Sequence, residues 1–449
     1  MGFLHGLLSA RSHLAFLIGL AAAIGAVHLT ARLSRAAVSP APNSAALASL
    51  SRALPLREPG PLSPQERDLA RAAFQYLETN TDERTGLAAS VAGYPSTTLW
   101  EVGSQLMALL AAEDLGLASP AEARRRIAKA LTTLAVLPLC EGLPNKAYHT
   151  RTAEMVDYDN GPAPGGIGWS ALDIGRVLVP FALIVRRAPE LTPLVEGILA
   201  RWNLGALSDG ISLRGASRRP DRVLETYQEG RLGYEQYAAR ALLPWGVPAG
   251  VAMDYVPHAA FVEVNGQKVP QDDRDPQRHG GTHNAVLSEP WVLEGLERGF
   301  DAIALSYARA ILAAQQRRFE TTGKLTAVSE DALDRPPGFS YSAVLNGREA
   351  WTAFSPDGKP APRDLTFSTK AAVGWGVLFG GSYPARLLGA AAELVAPGGL
   401  YAGRYDASGE VNRVLSINTN AVVLEALAYR VHGPFFQRRD RSAGVQVQR

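Results

Sequence analysis

Cysteine occurs once, at Cys140, in a chain of 449 residues. A single thiol excludes an intramolecular disulfide and any zinc site built on paired cysteines. Its setting in an apolar run, LAVLPLCEG, reads as a small buried core residue rather than a nucleophile. Excess charge of either sign is also missing: 45 Lys and Arg against 43 Asp and Glu leave a formal net charge of +2. The densest basic run, Arg124 to Arg126, is too short to follow a phosphate backbone, so no nucleic-acid partner is expected. There is no Gly-x-Ser-x-Gly elbow, P-loop or dinucleotide fingerprint. His279 and His283 are four apart, but Gly280 and Gly281 would break a metal-binding helix between them. The DDRD run at Asp272 to Asp275 reads as an acidic surface loop. No metal or organic cofactor is expected.

What is present is a globular composition, 47% hydrophobic and 20% charged, long enough for a large core. Leu14 to Leu29 is apolar except for His28, with Arg11 before it and Arg32 and Arg35 after it. Residues 1–36 therefore read as a signal peptide or a short membrane anchor, with Ala21, Ala23 and Ala26 small enough for cleavage. The expectation is a periplasmic body, anchored to the inner membrane or secreted by a cleaved signal peptide. Residues 37–62, rich in Pro, Ser and Ala, read as a flexible linker, and 437–449 as a disordered tail.

Between them, residues 63–436 read as one all-α domain. Ser63, Pro64 and Glu66 supply an N-cap, an N1 proline and an N3 acid. Ten further helices start near Thr98, Ser119, Ile167, Leu191, Gly233, Glu289, Asp301, Phe367, Tyr383 and Asn418. Most are rich in Ala and Leu, as buried helices are. No fixed-period repeat signals a solenoid. Eleven to twelve helices fit an (α/α)6 toroid, six hairpins in two concentric rings. Strand-like segments interrupt them, with turns at Asp209-Gly210, Asn265-Gly266, Asn346-Gly347 and Asp357-Gly358. These predict β-hairpins on one rim.

Acids near helix starts or in aromatic, glycine-rich loops are the candidates for chemistry. Glu101 lies beside Trp100, Asp157 and Asp159 flank Tyr158, and Asp173 follows Trp169 in GGIGWSALDIGR. Glu225 and Glu229 flank Tyr227, Glu235 lies between Tyr234 and Tyr237, and Glu289 precedes Pro290-Trp291. Glycoside cleavage needs one protonated carboxyl and one carboxylate, and sugar rings stack on aromatic faces. Each acid also has a plainer role: Glu101 and Glu289 suit a helix N-terminus, and Asp173 with Arg176 could be an i,i+3 ion pair.

Several phrases, among them TTLWEVGSQLMALLAAEDLGL, GGIGWSALDIGRVLV, GYEQYAAR and INTNAVVLEALAY, resemble a bacterial family of unknown function, number 3131. The similarity extends from about Pro64 to Phe435. That family is distantly similar to glycoamylase-like (α/α)6 proteins, which include β-1,2-glucan hydrolases. The resemblance implies a toroid with a glycan cleft and no cofactor. It implies Glu235 as general acid; read with the residues themselves, Asp159, Asp173 or Glu101 would activate water or hold the sugar. Trp100, Tyr158, Trp169, Tyr234 and Tyr237 would be stacking platforms, and Arg176, Tyr227, Glu289 and Trp291 further substrate contacts. Trp100-Glu101 departs from the Trp-Asp opening of such toroids. The expected partner is an oligo- or polysaccharide; the inner membrane and polysaccharide-assembly proteins follow from the N-terminal segment. A non-catalytic glycan-binding or scaffold protein of envelope polysaccharide assembly is the alternative.

Overall fold

The computed structural model describes residues 54–219, 221, 223–279 and 283–438. The expected targeting segment, most of the linker and the tail beyond residue 438 lie outside the described residues. Among the described residues, no helix is long and apolar enough to cross a membrane.

Eleven α-helices occur there: α1 (Pro64–Asn80), α2 (Leu99–Asp114), α3 (Pro120–Leu134), α4 (Ala171–Arg187), α5 (Thr192–Leu199), α6 (Tyr234–Leu242), α7 (Glu289–Glu297), α8 (Ala302–Thr322), α9 (Thr369–Leu378), α10 (Ser382–Ala392) and α11 (Ile417–His432). The start signals act as expected. Ser63 Oγ accepts from the Glu66 amide at 3.2 Å, and Glu66 Oε2 accepts from the Ser63 amide at 2.7 Å. Such a box satisfies two amide donors that a helix start would otherwise leave unpaired.

Six helices form an inner ring. α2, α4, α6, α7, α9 and α11 pack side by side in that order, and α11 closes the ring against α2. Their sequences explain the position: every residue of α7 and of α9 is buried, and neither helix has a polar face to offer solvent. Outer helices such as α3, PAEARRRIAKALTTL, bury one stripe and expose their arginines. α1 packs on α11, α3 on α2, α5 on α4, α8 on α7 and α10 on α9. The outer place beside α6 holds no α-helix; a 3-10 turn at Gly250–Met253 packs there instead. A β-hairpin, Ala259–Val264 with Gln267–Asp272, then leads on and packs against α8. This accounts for eleven helices rather than twelve. Its two-residue loop has Asn265 and Gly266 at φ 49° and 78°, the left-handed pair that this tight turn requires.

All six inner helices present their N-termini at the same end. Side chains from the first turns of α2, α7, α9 and α11 bond to one another there, and Tyr234 of α6 sets its ring edge-on to Trp100 of α2 at 5.4 Å. Short strands and hairpins feed into these helix starts and build the rim. The expected helix start at Ile167 is displaced to Ala171. Residues 167–169 instead run beside the strand Leu213–Arg218, the Ala216 amide donating to Trp169 O at 2.9 Å and the Arg218 amide to Ile167 O at 3.0 Å.

Candidate active site

The rim encloses a cleft whose floor carries carboxyl groups. Ser170 caps α4, its Oγ accepting from the Asp173 amide at 3.1 Å and donating to Asp173 Oδ1 at 3.0 Å. Glu229 reaches the same point from the hairpin Leu213–Arg218/Leu224–Glu229, its Oε2 accepting from the Ala171 amide at 2.5 Å. Asp173 and Glu229 each keep part of their surface open although protein surrounds them. Groups on the floor of a deep cleft have that signature. Burial, then the charge of Glu229, then that of Glu101 hold the Asp173 carboxyl well above the usual range. Burial raises Glu229 too, but Lys146 and the Ala171 amide oppose it. The two environments are therefore unequal, and the protonated form is favoured more strongly at Asp173 than at Glu229.

Lys146 is buried, donating to Ser217 Oγ at 2.6 Å and to the Tyr227 hydroxyl at 3.1 Å. Tyr158 stands over this group: it is 62% exposed, yet close enough to Asp173, Tyr227, Tyr341 and Glu229 to feel their charges. Across the cleft lies a second cluster. Lys370, in the first turn of α9, pairs with Glu289. Glu289 Oε1 accepts from Trp100 Nε1 at 3.1 Å and from Asn418 Nδ2 at 2.9 Å. Tyr234 donates its hydroxyl to Glu330. Asp331, buried against Ser368 and Thr366, is pushed up to about 7 by burial, with Lys370 opposing.

The structure thus gathers Trp100, Glu101, Tyr158, Asp173, Tyr227 and Tyr234 around one cleft, while Glu289 is buried and already held by Trp100, Asn418 and Lys370. It does not bring the other expected residues there. Glu235 is 1% exposed and fully engaged: Oε2 accepts from Arg274 Nη2 at 2.5 Å, and Oε1 from the Leu213 amide at 3.0 Å and Gln228 Nε2 at 3.1 Å. It ties the rim hairpin to the loop carrying Arg274, and no sugar oxygen can reach it. Arg176 does not pair with Asp173. It is fully buried in the middle of the ring, held by Glu297 of α7, Glu425 of α11 and the Tyr237 hydroxyl at 2.8 Å. Tyr237 is buried with it. Trp169 is buried under the hairpin, its Nε1 donating to Arg214 O at 3.1 Å. Trp291 packs in the core, stacked on Tyr255 at 5.4 Å. In DYDNG, Asp157 closes an Asx turn by accepting from the amides of Asp159 and Gly161 at 3.0 and 2.7 Å. Asp159 is exposed beside Tyr94, and among the described residues no hydrogen bond links its carboxyl to the Asp173–Glu229 group. Sequence reasoning passed over Lys146, Glu330, Asp331, Tyr341, Lys370 and Asn418 as site residues. A readable signal existed for Lys370, because a cation in a first helical turn opposes the helix dipole unless acids surround it.

Ring and cleft together define an (α/α)6 toroid with an acidic, aromatic-walled site at the N-terminal end of its inner helices. The sequence profile of one family, described as "Protein of unknown function (DUF3131)", matches residues 68–433, and the chain belongs to that family. Solved structures share the fold at low identity. An endo-β-1,2-glucanase from Chitinophaga pinensis, in complex with sophorotriose and glucose, superposes with a TM-score of 0.59 at 11% identity, covering 84% of this chain and 95% of that one. An endo-β-1,2-glucanase from Talaromyces funiculosus, in complex with sophorose, gives 0.55 at 13%, covering 83% and 84%. A glucoamylase candidate from Bacteroides fragilis gives 0.57 at 14%, covering 84% and 95%. No curated protein matches.

Proposed function

We propose that this protein is a glycoside hydrolase acting on a glucan, with β-1,2-linked glucan the first polymer to test. The observation that carries the reading is the pair Asp173 and Glu229. Two carboxyls lean on Ser170, one with its protonated form favoured and the other beside a lysine and a helix N-terminus, under aromatic side chains. Asp173 would protonate the leaving glycosidic oxygen. Glu229 would act as the carboxylate, directly or through water. Trp100, Tyr158, Tyr227 and Tyr341 would face sugar rings and Glu101 would bind hydroxyls, while the buried pair of Glu289 and Lys370 would hold Trp100 in position. The β-1,2 linkage is supported by the endo-β-1,2-glucanases that share this fold. The apolar segment Leu14 to Leu29 supports an exported, periplasmic protein, held at the inner membrane or released; polysaccharide-assembly proteins belong to the non-catalytic alternative.

The test is incubation of the protein with linear and cyclic glucans, read by mass spectrometry. Asp173→Asn should cut product formation by about a hundredfold or more, with folding intact. Full activity in that variant would remove Asp173 from the chemistry. Binding without products in the wild type would favour the non-catalytic alternative.

A further inference from the structure

A second cavity, of about 540 Å³, opens beside the same rim hairpin and shares Tyr227 with the cleft. Its wall carries Arg214, Arg274, Arg278, His258 and His279 against one carboxylate, Glu225. Most of these charges already have partners. Arg274 is held by Asp272 and Glu235, and His258 lies 3.5 Å from Asp273. Glu225 faces Arg219 at 3.4 Å, and Arg278 lies only loosely against Asp275 at 3.6 Å. Arg214 differs. It is half-buried and lines the cavity, and among the described residues its guanidinium makes no hydrogen bond or close ion pair, although its charge is felt by Asp209. On the hairpin it pairs with Gln228, so its side chain leaves the face opposite the one that carries Tyr227 and Glu229.

A half-buried guanidinium with five unused donors is a ready site for a planar or tetrahedral oxyanion. The cleft next door is rich in carboxyls and suits neutral hydroxyls. The cleft and the cavity lie on the two faces of the rim hairpin and meet along its outer strand at Tyr227, so a saccharide that crosses that strand can place one substituent in the cavity. We infer that this cavity is an anion subsite, in which Arg214 recognises a carboxylate or phosphate group borne by the glycan. This rests on the glycan reading above and narrows its substrate class to an acidic or anionically substituted saccharide.

The experiment is titration of the folded protein with glucose, glucuronic acid and glucose 6-phosphate, followed by NMR chemical-shift changes. Charged sugars should bind at least about tenfold more tightly than glucose, since a charge-assisted contact exceeds about 1.4 kcal/mol. Arg214→Ala should erase that preference without altering the weak binding of glucose, and Asp173→Asn should keep it. Whichever of the two acids binds better identifies the group as carboxylate or phosphate. Equal binding of neutral and charged sugars, or a preference that survives in Arg214→Ala, overturns the inference. The readout is binding, so an absence of glucan hydrolysis would sink the hydrolase reading and leave this result standing.

Discussion

Glu235 separates the sequence reading from the structure, and Glu235→Gln is the variant that decides between them. A general acid replaced by its amide loses turnover while the fold barely changes. The structure requires the opposite. Glu235 is 1% exposed and forms a buried ion pair with Arg274 at 2.5 Å. Removing one partner of a buried pair costs about 3–5 kcal/mol when the other charge is stranded. Here Arg274 keeps Asp272, bonded at 2.6 and 2.9 Å, so the cost falls below that range. The amide oxygen can still accept from the Leu213 amide, though a neutral acceptor forms the weaker bond. A loss of about 2–3 kcal/mol follows. With an unfolding entropy of about 2.1 cal/mol/K per residue, a domain of this size melts about 3 °C lower. Thermal unfolding and glucan cleavage per folded molecule would be measured together. A melting temperature like that of the wild type, with cleavage abolished, would refute the structural assignment and restore Glu235 as the acid.

Two further substitutions probe the cleft floor and its support. Asp331 titrates near 7 in the folded protein against 3.8 for a free carboxyl, so the folded state holds its proton longer. Its contribution to stability is complete below about pH 4 and is lost as pH rises to about 7. Asp331→Asn should flatten the decline between pH 4 and pH 8 by up to about 4 kcal/mol in denaturant titrations. An unchanged pH profile would show that Asp331 ionises normally. Gly168 sits at φ 119°, and a Cβ there would lie 2.1 Å from Ala216 O. Gly168→Ala should therefore push the rim hairpin away from α4, destabilise by more than about 3 kcal/mol, and impair any activity that needs Glu229 near Asp173. A stable, active Gly168→Ala protein would contradict that packing.

The helices were legible because burial is written in their composition: Ala-Leu runs, N-caps and terminal glycines place all eleven helices near their observed positions. The hairpin Leu213–Arg218/Leu224–Glu229 was not. Its strand LRGASR lacks alternation, and the only turn signal read nearby, Asp209-Gly210, belongs to the preceding loop. Missing that hairpin left Glu229 as one acid among several. Glu235 misled because an acid framed by two tyrosines looks the same whether it faces a sugar or an arginine. Arg274, 39 residues away, decides which, and no local pattern announces it. Arg176 misled in the same way. Its partners Glu297 and Glu425 lie 121 and 249 residues along the chain, whereas Asp173 is three residues away.

The closure of α11 against α2 has a consequence for assembly. The site draws Trp100 from the first inner helix and Asn418 from the last, both bonded to Glu289 near the middle of the chain. Contacts between such distant segments form late, because the loop between them must first be ordered. An incomplete ring could have most of its helices and still have no cleft. Ligand binding would therefore report on the last step of folding, and saccharide would stabilise the closed ring over every partly folded form.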